Sequence, residues 1–212
     1  EAGLKAGLHL QYGCSSGNCG SCKARLVAGK ATQVRPHDYV LSAREREAGY
    51  ILACSWTAVT DVVIEAIEAR TPAELPIQEI RAGVERIERL ADDVAILTLV
   101  TPRTNTLRFM AGQWVTLTDE DDNSAGYPLA SCPCDGRHLQ VFVRRREGNR
   151  FAATVFDGSL ATQVVHVQGP YGDFVLREDT TDPVVFVAMG DGIAPIKSLV
   201  EHAISIDGAE WM

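Results

Sequence analysis

Cys14, Cys19 and Cys22 stand in a C-x4-C-x2-C array, and a fourth cysteine, Cys54, follows after 31 intervening residues. Four thiolates at this spacing suit two irons bridged by two sulfides, because a short loop wraps one side and a distant residue closes the other. Gly13, Gly17 and Gly20 lie among the cysteines and let the backbone bend tightly. Peptide N–H groups in such a loop turn toward sulfur and stabilise its negative charge. A structural zinc site pairs two short knuckles, and here only Cys19 and Cys22 form one. A Rieske centre needs two histidines beside two cysteines, and His9 and His37 are not so arranged. The predicted metal ligands are therefore Cys14, Cys19, Cys22 and Cys54, holding a [2Fe–2S] cluster. With six cysteines in 212 residues and no secretory segment, no disulfide framework is expected. Cys132 and Cys134, on either side of Pro133, read as loop or core thiols.

The elements that must position these cysteines are short. Leu4 and Leu8 share one face of a predicted helix over residues 1–8. Lys23 to Val27 and Asp61 to Ala66 alternate as strands. Thr71 to Pro76 holds two prolines and no periodicity, and reads as a linker. Short strands then recur at Val84–Ile87, Val94–Val100, Trp114–Thr118, Leu139–Val143 and Val164–Gln168, which predicts a small antiparallel barrel. The acidic run Asp119 to Asp122 reads as a solvated loop. Pro183 to Met189 is continuously apolar, as a buried parallel strand would be. A glycine turn, Gly190-Asp191-Gly192, follows it. A helix comes next, with apolar positions Ile196, Leu199, Val200, Ala203 and Ile204 and with Pro195 in its first turn. Strand, glycine turn and helix in this order open a nucleotide-binding α/β domain.

Composition excludes several classes. Apolar residues make up 46% and charged residues 23%, ordinary values for a globular protein. No apolar run reaches the roughly 18 residues of a membrane span, and no signal peptide is read. A net charge of −8 disfavours nucleic acid as a partner. Residues 1–70 hold eight Lys/Arg and seven Asp/Glu, and the rest hold twelve and twenty-one. A near-neutral cluster region favours a tethered module fed by its own chain over a freely diffusing acidic carrier. Thiols held by a cluster fit a cytoplasmic setting. No hydrolytic constellation forms around the five histidines, so no catalytic side chain is singled out.

Residues Gly13 to Cys22, with Ile51-Leu52-Ala53-Cys54, resemble the ferredoxin domain of iron–sulfur flavoprotein reductases, which serve ring-hydroxylating dioxygenases, bacterial monooxygenases and deoxysugar dehydrases. The resemblance continues down the chain. Phe109 to Val115 is similar to the F-x-x-G-Q-aromatic-V strand of the flavin domain, and Gly169 to Phe174 is similar to its G-P-x-G-x-F turn. Gly126 to Ser131 stands in the place of its R-x-Y-S motif, Arg145 to Phe151 in that of the phosphate loop, and Gly190 to Pro195 in that of the nicotinamide loop. The implied fold class is α+β. A partial β-grasp ferredoxin domain over 1–70 lacks its first hairpin, so the chain is expected to start inside it. A linker at 71–78, a flavin-type antiparallel β-barrel over 79–178 and the beginning of an NAD(P)-binding domain over 182–212 follow. The implied cofactors are the [2Fe–2S] cluster, FAD and NAD(P)H. The cofactor-binding positions carried over are Tyr127, Leu129, Gly148, Arg150, Phe151, Gly190 and Gly192, with Tyr127 stacking on the flavin. The implied partner is a protein electron acceptor such as an oxygenase or dehydrase component.

Five positions depart from the family pattern. Ala125 replaces the phosphate-binding arginine, and Pro128 replaces the serine that hydrogen-bonds the flavin ring and lacks a backbone N–H. Asn149 and Ala152 stand where a glycine and a Ser/Thr are usual, and Asp191 replaces the threonine of G-T-G. Arg144, Arg145, Arg146 and Arg150 carry charge that can stand in for the missing arginine, although strand alternation sends only some of them to one face. Two readings follow. One is an NAD(P)H-dependent reductase component passing electrons through FAD to the cluster. The other is an electron-relay or docking subunit whose flavin site is degenerate and whose cluster alone works.

Overall fold

In the computed structural model, which describes residues 8, 10, 13–69, 71–176 and 183–206, the cysteine loop runs straight into β1 (Lys23–Ala28). β2 (Ala31–Gln33), the short helix α1 (Ala43–Glu47), β3 (Tyr50–Leu52), β4 (Trp56–Ala58) and β5 (Val63–Ala66) follow. β1 is the centre of an antiparallel sheet ordered β3-β1-β5, and β2 pairs with β4. The register Lys23↔Leu52 brings the end of the cysteine loop beside the strand that leads to Cys54. α1 is fixed by a capping box: Ser42 Oγ accepts from Glu45 N, and Ser42 N donates to Glu45 Oε2 at 2.8 Å. That cap holds Glu45 2.5 Å from Lys23 Nζ, next to Cys22. Tyr39, Leu41 and Leu52 form a small core on which Cys22 and Cys54 pack. The predicted helix over 1–8 lies outside the described residues, apart from Leu8.

The second body is a six-stranded antiparallel sheet ordered β10-β7-β6-β11-β8-β9. Its strands are β6 (Gln78–Ala91), β7 (Val94–Val100), β8 (Trp114–Thr118), β9 (Ser124–Pro128), β10 (His138–Arg144) and β11 (Val164–Tyr171). The edge strands β9 and β10 approach one another through the bridge Leu129↔Val141 and the bond from Ala130 N to Gln140 O, so the sheet nearly closes into a barrel. Strand alternation explains the core. Ala95, Leu97 and Leu99 of β7 point inward with Leu139, Val141 and Val143 of β10, Val115 and Leu117 of β8, and Val165 and Val167 of β11. Each of the larger side chains contributes roughly 1.5–3 kcal/mol by its burial. Helix α2 (Arg150–Asp157) closes one end with Phe151, Ala152, Val155 and Phe156.

The fold is α+β, as the sequence predicts, with differences in detail. The expected strand at Val84–Ile87 is part of the fourteen-residue β6, most of whose outward positions are charged and therefore carry no hydrophobic signature. Asp119 is not solvated but 1% exposed. Its Oδ1 accepts from Asp121 N and Asn123 N, and both its oxygens accept from Asn123 Nδ2, so the acidic run is a turn built around one buried carboxylate. Cys132 and Cys134 are not free thiols but a disulfide.

After the barrel, residues 183–189 form no strand with the other described residues, and Val185 and Met189 are 83% and 91% exposed. The apolar run is therefore not buried as expected, because a parallel strand is buried only between neighbours of its own sheet. Helix α3 (Ile193–Ile206) docks on the barrel with Ala194, Ser198, Leu199, His202 and Ala203 inward. Ser198 Oγ donates to Ser131 O at 2.7 Å, and Lys197 Nζ donates to Ala130 O at 3.0 Å. The buried stripe is rotated from the apolar stripe read in the sequence, and Ile204 is exposed. No helix among the described residues is long and apolar enough to cross a membrane.

Candidate electron-transfer site

The four cysteines of the array come together as two pairs. Cys22 Sγ lies 3.2 Å from Cys54 Sγ. Cys14 and Cys19 are interlocked through their backbones: Cys14 N donates to Cys19 Sγ at 3.4 Å and Cys19 N donates to Cys14 Sγ at 3.3 Å. Ser16 N and Asn18 N also point at Cys14 Sγ, at 3.4 and 3.2 Å, and Ser21 N at Cys19 Sγ, at 3.5 Å. The Cys14–Cys19 pair thus sits in a nest of five amides, which favours negative charge on sulfur. Within each pair one thiol donates to the other sulfur. The Cys19 thiol holds Cys14 down at about 4, and the Cys22 thiol holds Cys54 down at about 6. Donating in those bonds, and then burial, push Cys19 and Cys22 up. Among the described residues no three His, Cys, Asp or Glu side chains gather around a single ion position. Two pairs of sulfurs suit a binuclear centre, with one iron to each pair.

The loop holds this shape because its backbone turns sharply. Gly20 has φ +72°, and a Cβ there would lie 2.2 Å from Tyr39 Cε2. The barrel presses on the loop from the other side. Thr106 Oγ1 donates to Cys19 O, Val40 N donates to Arg103 O at 3.0 Å, and Tyr39 Oη donates to Thr104 O at 2.9 Å. The segment between β7 and β8 therefore lies directly on the cysteine loop. Thr106 and Tyr39 have structural roles here that no motif in the sequence advertises.

The flavin and nucleotide positions fall into two groups. Tyr127, Leu129 and Phe151 lie in the barrel core. Tyr127 is 6% exposed, its ring tilted 5.6 Å from that of Phe151 and its hydroxyl accepting from Asn149 Nδ2 at 3.0 Å. Burial pushes its phenol up. The register explains this placement: Tyr127 pairs with Val115 and so shares the inward face of the sheet. Gly148, Arg150, Gly190 and Gly192 lie at the surface, and neither Gly148 nor the two loop glycines has an atom within 4 Å of a Cβ position. Asn149 also caps α2, its Oδ1 accepting from Ala152 N at 2.9 Å.

Between the two groups lies a network that no single motif announces. Asp191 accepts from Arg144 Nε at 2.7 Å and from Arg146 Nη2, while Arg144 Nη1 reaches Asp93 at 2.6 Å. Arg145, on the opposite face, lies 4.5 Å over the Phe156 ring. The carboxylate that replaces the family's threonine is thus bound by two of the arginines expected to meet a phosphate. Asp191 is held below its ordinary range, first by the hydrogen bond from Arg144. Folding favours its ionised form, so its contribution is present above the unfolded value near 4 and is lost as pH falls through the lower folded value. Acidification below about pH 4 is expected to free Gly190 and Gly192 from the barrel, read as movement of their amide resonances. In Asp191→Asn that low-pH movement disappears.

Comparisons with known proteins match this geometry. Residues 1–59 match the family model described as a 2Fe-2S iron-sulfur cluster binding domain. The chain is 30% identical over 205 residues to the CDP-6-deoxy-L-threo-D-glycero-4-hexulose-3-dehydrase reductase of Yersinia pestis, covering 97% of this chain and 61% of that one. It is 29% identical over 206 residues to the propane 2-monooxygenase reductase component of Rhodococcus jostii, covering 95% and 56%. Among solved structures it is similar to the Amycolatopsis cytochrome P450 reductase GcoB, with a TM-score of 0.56 and 29% identity over 97% of this chain and 62% of that one. This chain is a relative of the iron–sulfur flavoprotein reductases. It spans about three fifths of the length of the reductases it matches. Against the motifs of those reductases the cysteine array is intact, whereas Ala125, Pro128 and Asp191 depart from them.

Proposed function

We propose that this protein is the electron-transfer component of a cytoplasmic oxygenase or dehydrase system, taking electrons from NAD(P)H and passing them through FAD and a [2Fe–2S] cluster to a partner protein. The observation that carries this reading is the cysteine loop, with its two sulfur pairs and amide nest, pressed against a barrel of the reductase type. In this reading Cys14 and Cys19 hold one iron and Cys22 and Cys54 the other. When bound, the flavin accepts a hydride as two electrons and yields them singly, and the cluster carries one. The protein's share is placement. Thr106, Tyr39 and Arg103 keep the loop seated on the barrel, so the distance between carriers is fixed by packing. Gly148, Gly190 and Gly192 leave backbone open to a nucleotide, and Arg144, Arg146 and Arg150 supply cationic donors for its phosphates. The domain division at 1–70, 71–78, 79–178 and 182–212 belongs to this proposal.

Tyr127 in the core and Asp191 on the arginines favour the second reading, a relay subunit in which the cluster works without flavin. A visible absorption spectrum of the purified protein, followed by heat release and identification of flavin, separates the two. Cluster bands with one FAD per chain are expected. Cluster bands that remain free of flavin after soaking in FAD would establish the relay reading instead. If Asp191 competes with a phosphate for Arg144 and Arg146, Asp191→Asn should tighten FAD binding several-fold, because it releases two cationic donors. Equal affinities in a fluorescence titration would show that these arginines do not meet the ligand.

A further inference from the structure

The disulfide between Cys132 and Cys134 lies against the cysteine loop and belongs to none of the functions above. We infer that it is a reactive disulfide, a thiol–disulfide exchange site for a low-molecular-weight thiol that enters the cleft between the barrel and the cysteine loop. The cleft has a volume of about 550 Å³, room for a peptide-sized thiol. Cys134, Arg137 and His138 line it on the barrel side, and Cys14, Ser15 and Asn18 face them. The two walls are in contact: a Cβ on Gly13 would lie 3.1 Å from Pro133 O, and one on Gly136 would lie 3.5 Å from Cys19 Cβ.

The bridge does little as a structural staple. It closes a loop with a single residue between its ends, and the chain entropy removed by a disulfide shrinks as the loop shortens. The segment is already held without it. Asp135 N donates to Cys132 O, Ala130 N to Gln140 O, and Ser198 Oγ to Ser131 O. The two sulfurs also differ in their surroundings. Cys132 is buried, 3.8 Å from Ser205 Oγ, whereas Cys134 is half-buried and opens on the cleft. Arg137 Nε has no hydrogen-bond partner among the described residues, and its guanidinium borders the same cleft, where it favours an arriving thiolate.

These differences fix the direction of exchange. A small thiolate attacks Cys134 Sγ, the S–S bond breaks, and Cys132 leaves as a thiolate that takes a proton from water. A second thiolate attacks the outer, small-thiol sulfur of the mixed disulfide, and Cys134 leaves as a thiolate. The small disulfide leaves, and Cys134 is protonated in turn. Two small thiols supply two electrons, and two protein thiols and one small disulfide result. Because Pro133 rests on Gly13, opening the bridge alters the packing of the cluster loop. That last consequence, unlike the exchange itself, rests on the cluster reading.

The test uses the purified holoprotein, iodoacetamide and peptide mass spectrometry across a series of reduced and oxidised glutathione ratios. Cys132 and Cys134 are expected to resist alkylation without reductant and to become alkylated together as the ratio rises, with a change in the visible circular dichroism of the cluster. Cys132→Ser should take a glutathione adduct on Cys134 from oxidised glutathione at least about tenfold faster than Cys134→Ser takes one on Cys132, following access to sulfur. Alkylation of both residues before any reductant is added overturns the inference. So does a bridge that stays closed under native conditions in excess thiol, and so do equal adduct rates in the two variants. Failure of the cluster reading looks different: no visible bands, and Cys14, Cys19, Cys22 and Cys54 alkylated at the outset.

Discussion

Cys54→Ala is expected to abolish the visible absorbance of the [2Fe–2S] cluster while leaving the barrel folded. Cys54 is the only one of the four cysteines outside the 14–22 loop, and its sulfur completes the pair with Cys22 at 3.2 Å. Without it, the second iron would keep one protein thiolate, and the protein holds no spare: the remaining cysteines, Cys132 and Cys134, are bonded to one another. The loss should therefore be nearly complete and not graded. Its effect on folding should stay local. Cys54 sits in the turn between β3 and β4, packed on the small core of Tyr39, Leu41 and Leu52, whereas the barrel core is built from β6 to β11 and α2. Far-ultraviolet circular dichroism and the thermal transition of the barrel provide the control, and Ser55→Ala, beside the ligand but not one of the four, is the matched variant. An unchanged visible spectrum in Cys54→Ala would overturn the ligand assignment.

The cysteine array was the most legible part of the chain because cluster chemistry dictates residue type and spacing together. Strands with alternating burial were legible for a related reason: Val94 to Val100 and Trp114 to Thr118 carry their period in the sequence, and both appear with those bounds. What alternation cannot report is a contact made by a polar group far away in the chain. Asp119 reads as one of four acidic residues, and only the fold shows that it turns inward to organise Asn123. The register that sends Tyr127 into the core is set by its pairing with Val115, which no local motif records. Asp191 was visible as a departure from the family pattern, but its partners Arg144 and Arg146 lie more than forty residues away. Pro183 to Met189 states a preference for burial, and the described residues supply no neighbouring strand to provide it.

Gly112→Ala is expected to destabilise the barrel by about 2–4 kcal/mol, combining a left-handed backbone conformation with a steric conflict. Gly112 has φ +94°, and a Cβ there would lie 2.0 Å from the carbonyl oxygen of Phe174. Neither party can yield easily. Gln113, the next residue, is buried, accepts at Oε1 from Met110 N at 2.8 Å and donates from Nε2 to Gly172 O at 3.0 Å, so it ties this turn to residues 172–174. Its own carbonyl accepts from Leu129 N at 3.0 Å, which anchors the exit from β9. Pushing Phe174 away thus strains both a buried amide network and the strand end that follows Tyr127. Gly148→Ala isolates the conformational part: φ there is +81°, but no atom lies within 4 Å of the new methyl group, so a cost of only about 1–2 kcal/mol is expected. The difference between the two variants in denaturant unfolding, followed by tryptophan fluorescence from Trp114 in β8, measures the conflict with Phe174. If both variants lose the same stability, the contact between Gly112 and Phe174 is not tight in solution, and the glycine of the F-x-x-G-Q strand is needed for its backbone angle alone.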